Sequence, residues 1–410
     1  MSSRPIHPSA PVAPVQLSAC SLASAAGVGL PALAEAMAQG RSALTPNDFT
    51  RVELPAWIGR VPRVDSTVLP RTLRHWDSRA TRLAWLGLQA DGFAQAVQQA
   101  RNRHGATRVG LVLGTSASTI GVSEAAYAAP AEDGGFPAAV RSERLNMIHA
   151  ITAFVQDALQ LQGPAVTVST ACSSSAKAFA QAERWLRLQL CDAVVVGGVD
   201  ALCDSVLLGF AALGLVSQAP CQPFGAARCG ISVGEAAGFV LLERVAGGSH
   251  ATQMVGYGES NDAFHMSSPH PEGRGAEAAL DAALARAGLD AAAVDYVNLH
   301  GTATPRNDEV EAALVSRRYR ADVHASATKG FTGHTMGAAG IVEALICVQA
   351  LQSGLRSGTA HTPVADAALG ERFAGQLHLA AGQSAVNVAA SHSFGFGGNN
   401  AVLLFARGAA

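Results

Sequence analysis

The sequence predicts an α/β protein made of two similar halves around buried central helices. Three observations carry this. Apolar, β-branched runs that do not alternate with polar residues recur along the chain, as in strands covered on both faces of a sheet. Helical stretches lie between them, the pattern of an α/β architecture. A strand, a loop of small residues and a helix then occur in loosely the same order on either side of residues 245–252.

The predicted strands are PVQLSACSL (14–22), RVGLVLGTSAS (108–118), PAVTVSTAC (164–172), DAVVVGGVDA (192–201), VDYVNLHGTAT (294–304) and AVNVAASHSF (385–394). A further strand, AVLLF, follows the Gly-rich turn SHSFGFGGNN (391–400). The helices are LPALAEAMAQG (30–40), AKAFAQAERWLRLQL (176–190), GAEAALDAALARAGL (275–289) and AGIVEALICVQALQSG (339–354). Gly337 and Gly340 fall within one helical turn. Helical glycine costs about 1 kcal/mol relative to alanine, so the pair implies close approach of another backbone. The domain reading is a disordered tail at 1–14, an N-terminal half at 15–248 and a C-terminal half at 249–410.

Composition excludes several classes. No apolar run reaches about 18 residues, and the Pro-rich start MSSRPIHPSAPVAP lacks the apolar core of a signal peptide. No membrane and a cytoplasmic location are expected. Seven cysteines without a CxxC argue against a disulfide framework or zinc site, and no metal is expected. A net charge of −2 gives no reason to expect nucleic acid.

STACSSS (169–175) places Cys172 after a strand and at the start of a helix, with only small side chains around it. Free N–H groups and the helix dipole favour a thiolate there, and the same N–H groups suit a developing oxyanion. A structural buried cysteine is the alternative. His300 ends the strand of NLHGTATPRND, and His334 sits in the Gly-rich loop TKGFTGHTMGAAG. Either alone reads as a structural histidine, but two such positions beside a cysteine suggest a Cys-His-His set. The Gly-rich turn 391–400 is no dinucleotide loop, since a strand follows it. Of 29 basic residues only Lys177 and Lys329 are lysine. Beside the motif, Lys329 points to a site that needs a compact ammonium rather than a guanidinium.

Through STACSSSA, NLHGTATPRND, TKGFTGHTMGAAGIVEA and SFGFGGNN, in that order, residues 14–408 resemble the β-ketoacyl-acyl carrier protein synthases of the thiolase-like condensing enzymes. ACSSSAK, GGVDALC, RCGISVGEAAG and NLHGTAT are most similar to ketosynthases of bacterial aryl-polyene pigment pathways. The resemblance implies a thiolase-like fold layered α-β-α-β-α and a decarboxylative Claisen condensation with malonyl-carrier. It implies Cys172 as the acyl-accepting nucleophile, His300 and His334 as the pair for decarboxylation, and Lys329 with Glu343 organising them. The amides of Cys172 and Phe396 would form the oxyanion hole. Thr302 and Thr304 would contact pantetheine, and Asp262 and His265 would lie on a loop facing the gate that contains Gly395 and Gly397. No cofactor is implied beyond the phosphopantetheine of the acyl carrier protein. The implied partners are that carrier and a second subunit, either a copy of this chain or a chain-length factor. Two departures stand out: His392 where relatives often carry Asn, and Gly225 where an acidic residue is usual.

A thiolase, a cysteine hydrolase and a non-catalytic chain-length-factor subunit are the alternatives. An acidic carrier needs a local basic face. Arg306, beside the pantetheine turn, is the stronger candidate, ahead of the arginines at 51, 60, 63, 71, 74, 79 and 82.

Overall fold

The computed structural model describes residues 11–129, 132–135, 137, 143–246 and 251–408. The expected tail lies outside the described residues over positions 1–10, as does the expected boundary at 248/249. Ten strands form the main ladder. Those of the first half are β1 (Val15–Ser24), β2 (Val109–Gly114), β3 (Ala165–Val168), β4 (Ala193–Asp200) and β5 (Ala236–Arg244). Those of the second are β6 (Gln253–Asn261), β7 (Tyr296–Leu299), β8 (His324–Ala327), β9 (Val388–Gly395) and β10 (Asn399–Ala406).

Their order is β8-β7-β9-β10-β6-β1-β5-β4-β2-β3. Each strand of the first half thus has a counterpart five labels later, and β1 and β6 join the halves as antiparallel neighbours. The pairing sense repeats as well. β2 is parallel to β3 and β4, as β7 is to β8 and β9. The remaining pairs are antiparallel.

Four helices matter for the site: α1 (Ser174–Arg187), α2 (Arg274–Ala287), α3 (Pro305–Arg318) and α4 (Ala339–Ser353). α1 and α4 share one apolar core with residues of both halves, among them Val194, Val240, Tyr296 and Phe405. Helices at Arg79–Gln89, Phe93–His104 and Ala150–Ala158 cover the other face of the first half. α2 and α3 cover the other face of the second. The result is the expected five-layer arrangement. A Cβ on Gly340 would lie 2.5 Å from the Ala176 amide of α1, and one on Gly337 would lie 2.6 Å from the Ser116 amide. These are the close approaches the two glycines implied.

β3 is covered on both faces as expected, Val166 and Val168 against one core and Ala165 against the other, but it ends the ladder, and with no neighbour on its outer edge among the described residues its four residues are only half-buried. One expectation needs correction. The residues Met336–Ser353 form a stretch long and apolar enough to cross a membrane, with mean hydropathy 1.4, contrary to the reading that no such run exists. That segment is 83% buried inside the protein, because it is the central helix between two strand layers. β5, β6 and β8 were not anticipated. β8, HASA, is short and weakly β-forming, and pairing with β7 makes it a strand.

Candidate active site

Three strand ends and the loops after them build the site. β3 stops at Val168 and α1 starts at Ser174. The turn between them bends at Ala171, whose φ of +52° lies in the left-handed region, a conformation that costs an L-residue roughly 1–2 kcal/mol. Hydroxyls hold it. Ser173 Oγ donates to the Thr170 carbonyl at 2.9 Å, and the Thr170 amide donates to Ser174 Oγ at 2.9 Å. Ser175 Oγ accepts the Ile341 amide of α4 at 2.9 Å. The serines around Cys172 therefore stitch the turn and tie the two central helices together; leaving open space is not their only effect.

β7 stops at Leu299, immediately before His300. The carboxylate of Glu311, on the inner face of α3, accepts the amides of His300 and Gly301, each at 2.8 Å. β8 leads into a short helix, Lys329–Thr332, and then to His334. His334 is thus not at a strand end equivalent to that of His300. Its backbone is fixed from the first half of the chain: its amide donates to the Ser232 carbonyl at 2.7 Å, and its carbonyl accepts the Gly234 amide at 2.9 Å.

These elements bring Cys172, His300 and His334 together, all buried, with one ligating atom of each within 4.8 Å of the others. His334 Nε2 lies 3.0 Å from Cys172 Sγ. The His300 and His334 rings stand edge to face with centroids 5.5 Å apart. The Met336 amide donates to His334 Nδ1 at 3.3 Å, which leaves the ring hydrogen on Nε2. Lys329 Nζ lies 3.2 Å from His300 Nδ1 and also donates to the His300 carbonyl and to Glu343. The His300 hydrogen is thereby placed on Nε2 too.

Electrostatics follow from burial. Both imidazoles are held well below their usual value, first by desolvation and then by the Lys329 charge, so they are neutral at pH 7. Burial pushes the Cys172 thiol up to about 11, although Lys329 and the amides of Phe396 and Cys172 pull it down. This corrects the expectation of a resting thiolate: the helix start does not outweigh desolvation. Burial also pushes the Glu343 carboxyl up to about 7 against the opposing pull of Lys329. Two neutral N–H donors, an ammonium and two amides make a place for negative charge that develops during a reaction.

The three side chains line a cavity of about 470 Å³ whose apolar walls include Phe210, Leu215 and Ile231. Thr302, Thr304 and Arg306 line it as well. The Thr302 and Thr304 hydroxyls are 2.8 Å apart, and Arg306 is 79% exposed and paired with Glu309 at 3.1 Å. Gly395 packs tightly on the nucleophile turn: a Cβ there would lie 3.1 Å from the amides of Cys172 and Ser173. The Phe396 ring rests 5.7 Å from that of Phe210. Gly397 has φ +73° and does not line the cavity. Its amide donates to the Met266 carbonyl at 2.7 Å, so the 260–266 loop does face the glycine turn.

Asp262 lines the cavity, but its carboxylate is occupied by the His270 amide and the Asn400 side chain. His265 is not brought to the site. It is exposed and its Nδ1 accepts the amides of Ser267 and Ser268, which makes it a cap for its own loop. Several of the 51–82 arginines are neutralised, Arg60 by Asp48 and Asp65, Arg79 by Glu235 and Asp65, Arg82 by Asp77. Glu311 and Asp308 were missed. Asp308, Glu311, Ala312 and Val315 are buried at the i, i+3, i+4, i+7 spacing of one helix face, the signal that could have found them.

Comparison with known proteins agrees with this geometry. Residues 77–247 match the beta-ketoacyl synthase N-terminal domain and residues 251–362 the beta-ketoacyl synthase C-terminal domain. A 3-oxoacyl-[acyl-carrier-protein] synthase 2 of Rhizobium meliloti is 37% identical over 264 residues, 60% of this chain and 62% of that protein. The 3-oxoacyl-[acyl-carrier-protein] synthase 2 of Vibrio cholerae is 32% identical over 325 residues, 75% of this chain and 77% of its own length. Among solved structures, a ketosynthase (ApeO) in complex with its chain length factor (ApeC) from Xenorhabdus doucetiae superposes with a TM-score of 0.85 at 32% identity, covering 100% of both chains. With the fold, the buried Cys-His-His set and these matches in agreement, the chain belongs to the beta-ketoacyl synthase family, thiolase-like acyltransferases of decarboxylating condensation.

Proposed function

We infer that the chain lengthens an acyl group held on Cys172 with malonyl-acyl carrier protein. The observation that carries this is the meeting of Cys172, His300 and His334 within 4.8 Å on the wall of the cavity, with Lys329 behind them. In the first half-reaction the Cys172 sulfur attacks the acyl thioester. The oxyanion is held by the Cys172 and Phe396 amides, pantetheine thiol leaves, and the Cys172 proton ends on it. In the second, the malonyl thioester oxygen accepts the Nε2–H groups of His300 and His334. The bond to the carboxylate breaks, carbon dioxide leaves, and the electron pair becomes a thioester enolate. The enolate attacks the acyl carbonyl, Cys172 is expelled as the thiolate and takes up a proton from solvent, and a 3-oxoacyl-carrier results.

Thr302 and Thr304 present hydroxyls to the pantetheine arm, and Arg306, exposed beside them, meets the acidic carrier. A second subunit covers the free edge of β3, whose half-buried backbone otherwise offers unpaired groups. It is either a copy of this chain or a chain-length factor. The four motif stretches and the full-length likeness to a ketosynthase solved with its chain length factor support an aryl-polyene-type elongation. The test is mass spectrometry of the carrier after incubation with malonyl-carrier and candidate starters. Two-carbon extension that requires malonyl-carrier is expected. Extension without it would favour a thiolase, and starter release alone a hydrolase.

A further inference from the structure

A buried polar cluster outside the cavity lies behind His300. Glu311 is fully buried, and its two oxygens take the amides of His300 and Gly301. The turn they hold passes twice through the left-handed region, at Gly301 with φ +42°, which glycine adopts freely, and at Ala303 with φ +63°, which is strained. His392, on β9 and also fully buried, grips the same carboxylate, with Nδ1 3.0 Å from Glu311 Oε1. Its Nε2 lies 2.8 Å from the Tyr319 hydroxyl. A carboxylate oxygen only accepts, so the ring hydrogen is on Nδ1, aimed at Glu311, and Nε2 accepts the Tyr319 O–H. Phe394 fills the space between the two histidines, its ring 5.2 Å from that of His392 and 6.0 Å from that of His300. Without the Nδ1 donor, Glu311 would be a buried carboxylate held by two amides alone, free to relax away from the turn.

We propose that His392 is a positioning residue for the decarboxylation step: by fixing Glu311 it fixes the backbone of His300, and so the place of the Nε2–H that meets the enolate oxygen. The inference rests on the reading of His300 as an enolate donor. A displacement of about 1 Å at such a donor can cost about a hundredfold in rate, whereas acylation of Cys172 draws on the other side of the site and is spared.

The test compares His392→Leu, which removes the donor, with His392→Asn, whose amide N–H reaches where Nδ1 sits. His300→Ala is run beside them. Carbon dioxide release from malonyl-carrier and starter transfer to Cys172 are measured separately. His392→Leu is expected to slow release about tenfold or more with transfer within about twofold, and His392→Asn to restore most of the release. If His392→Leu slows both steps alike, or neither, or if His392→Asn is as slow as His392→Leu, the proposal is overturned. If His392→Leu does not fold, Tyr319→Phe takes its place. A smaller loss confined to release then supports the proposal, and no selective loss overturns it. If His300→Ala itself slows both steps alike, the reading of His300 fails. If His300→Ala is selective and His392→Leu is not, the role of His392 alone fails.

Discussion

The β3–α1 junction and the β8–α4 junction occupy equivalent places in the two halves, yet they do different work. The first is short, residues 169–173, and sets a small thiol just before a helix start. The second is longer, residues 328–338, and has room for a buried ammonium, a short helix and an imidazole. The ends of β2 and β7 differ in the same way. His300 follows β7, whereas Thr115 follows β2 and donates to Asp200 at 2.7 Å, a purely structural bond. A repeated scaffold gives one half the buried thiol and the other the two imidazoles. The packing of α1 on α4 brings them within reach of each other.

The comparison predicts that the junctions fail separately. Cys172→Ala should bring condensation down to background with an unfolding midpoint near that of the parent, because one small thiol is lost. Elongation by this variant at a near-parent rate would remove Cys172 from the nucleophile's place.

Lys329→Arg damages only the second junction. The ammonium touches His300 and Glu343 and makes no hydrogen bond to His334, so His300 is the residue that a forked guanidinium displaces. Carbon dioxide release should fall on the order of a hundredfold, and starter transfer less. Equal losses in both steps would break the division of labour.

Gly340→Ala tests the packing that joins the junctions. Its Cβ would meet the Ala176 backbone at 2.5 Å, and overpacking of this kind costs about 1–3 kcal/mol. Gly209→Ala, in the helix Asp204–Ala212 with nothing within 4 Å, should instead gain up to about 1 kcal/mol. Chemical denaturation of both variants measures the contrast, and an unaffected Gly340→Ala would mean that α1 and α4 can part at no cost.

The second junction also predicts a pH profile. Because His300 and His334 are held well below 6.5, neither imidazole should titrate as pH drops through 6.5, whereas the Glu343 carboxyl beside Lys329, pushed up to about 7, changes charge there. A loss of carbon dioxide release centred on 6.5 that persists in Glu343→Gln would mean that the imidazoles are solvated. For stability the sign is fixed by which state binds more protons. The unfolded chain protonates these histidines first, so the stability they contribute is present above 6.5 and is lost as pH falls below it. Glu343 and Asp308, both pushed up to about 7, act the other way. The stability they contribute is present at low pH and is lost as pH rises to about 7.

The smallest effect is at the mouth. Arg306→Glu should raise KM for the carrier a few-fold at low salt and flatten its salt dependence, since an exposed charge is screened within roughly 10 Å at 0.1 M. An unchanged KM at low salt would take Arg306 out of the docking face.

Much of this was legible in the chain. Seven strands and four helices could be placed because their apolar runs are long or continuous. The two close glycines announced the contact of α1 with α4. Cys172, His300, His334 and Lys329 could be named because their neighbours are small residues and glycines at the ends of apolar runs. Other features were not legible, because distant contacts set them. The serines of STACSSS look like open space, but their hydroxyls bond the turn and α4. His265 carries the residue type of a site, yet its loop folds so that it caps its own backbone. Glu311 reads as a helix charge until α3 turns it towards His300.

The sequence by itself determined the alternation of strands and helices, the two-fold repeat and the set of reactive residues, since these follow from local periodicity and residue chemistry. Only the tertiary structure decided that the thiol rests protonated, that Lys329 hydrogen-bonds His300 and not His334, and that Met336–Ser353 is a core helix. Each of these depends on which atoms surround a group in three dimensions. Desolvation, a contact of about 3 Å and burial between two strand layers leave no mark on a linear chain.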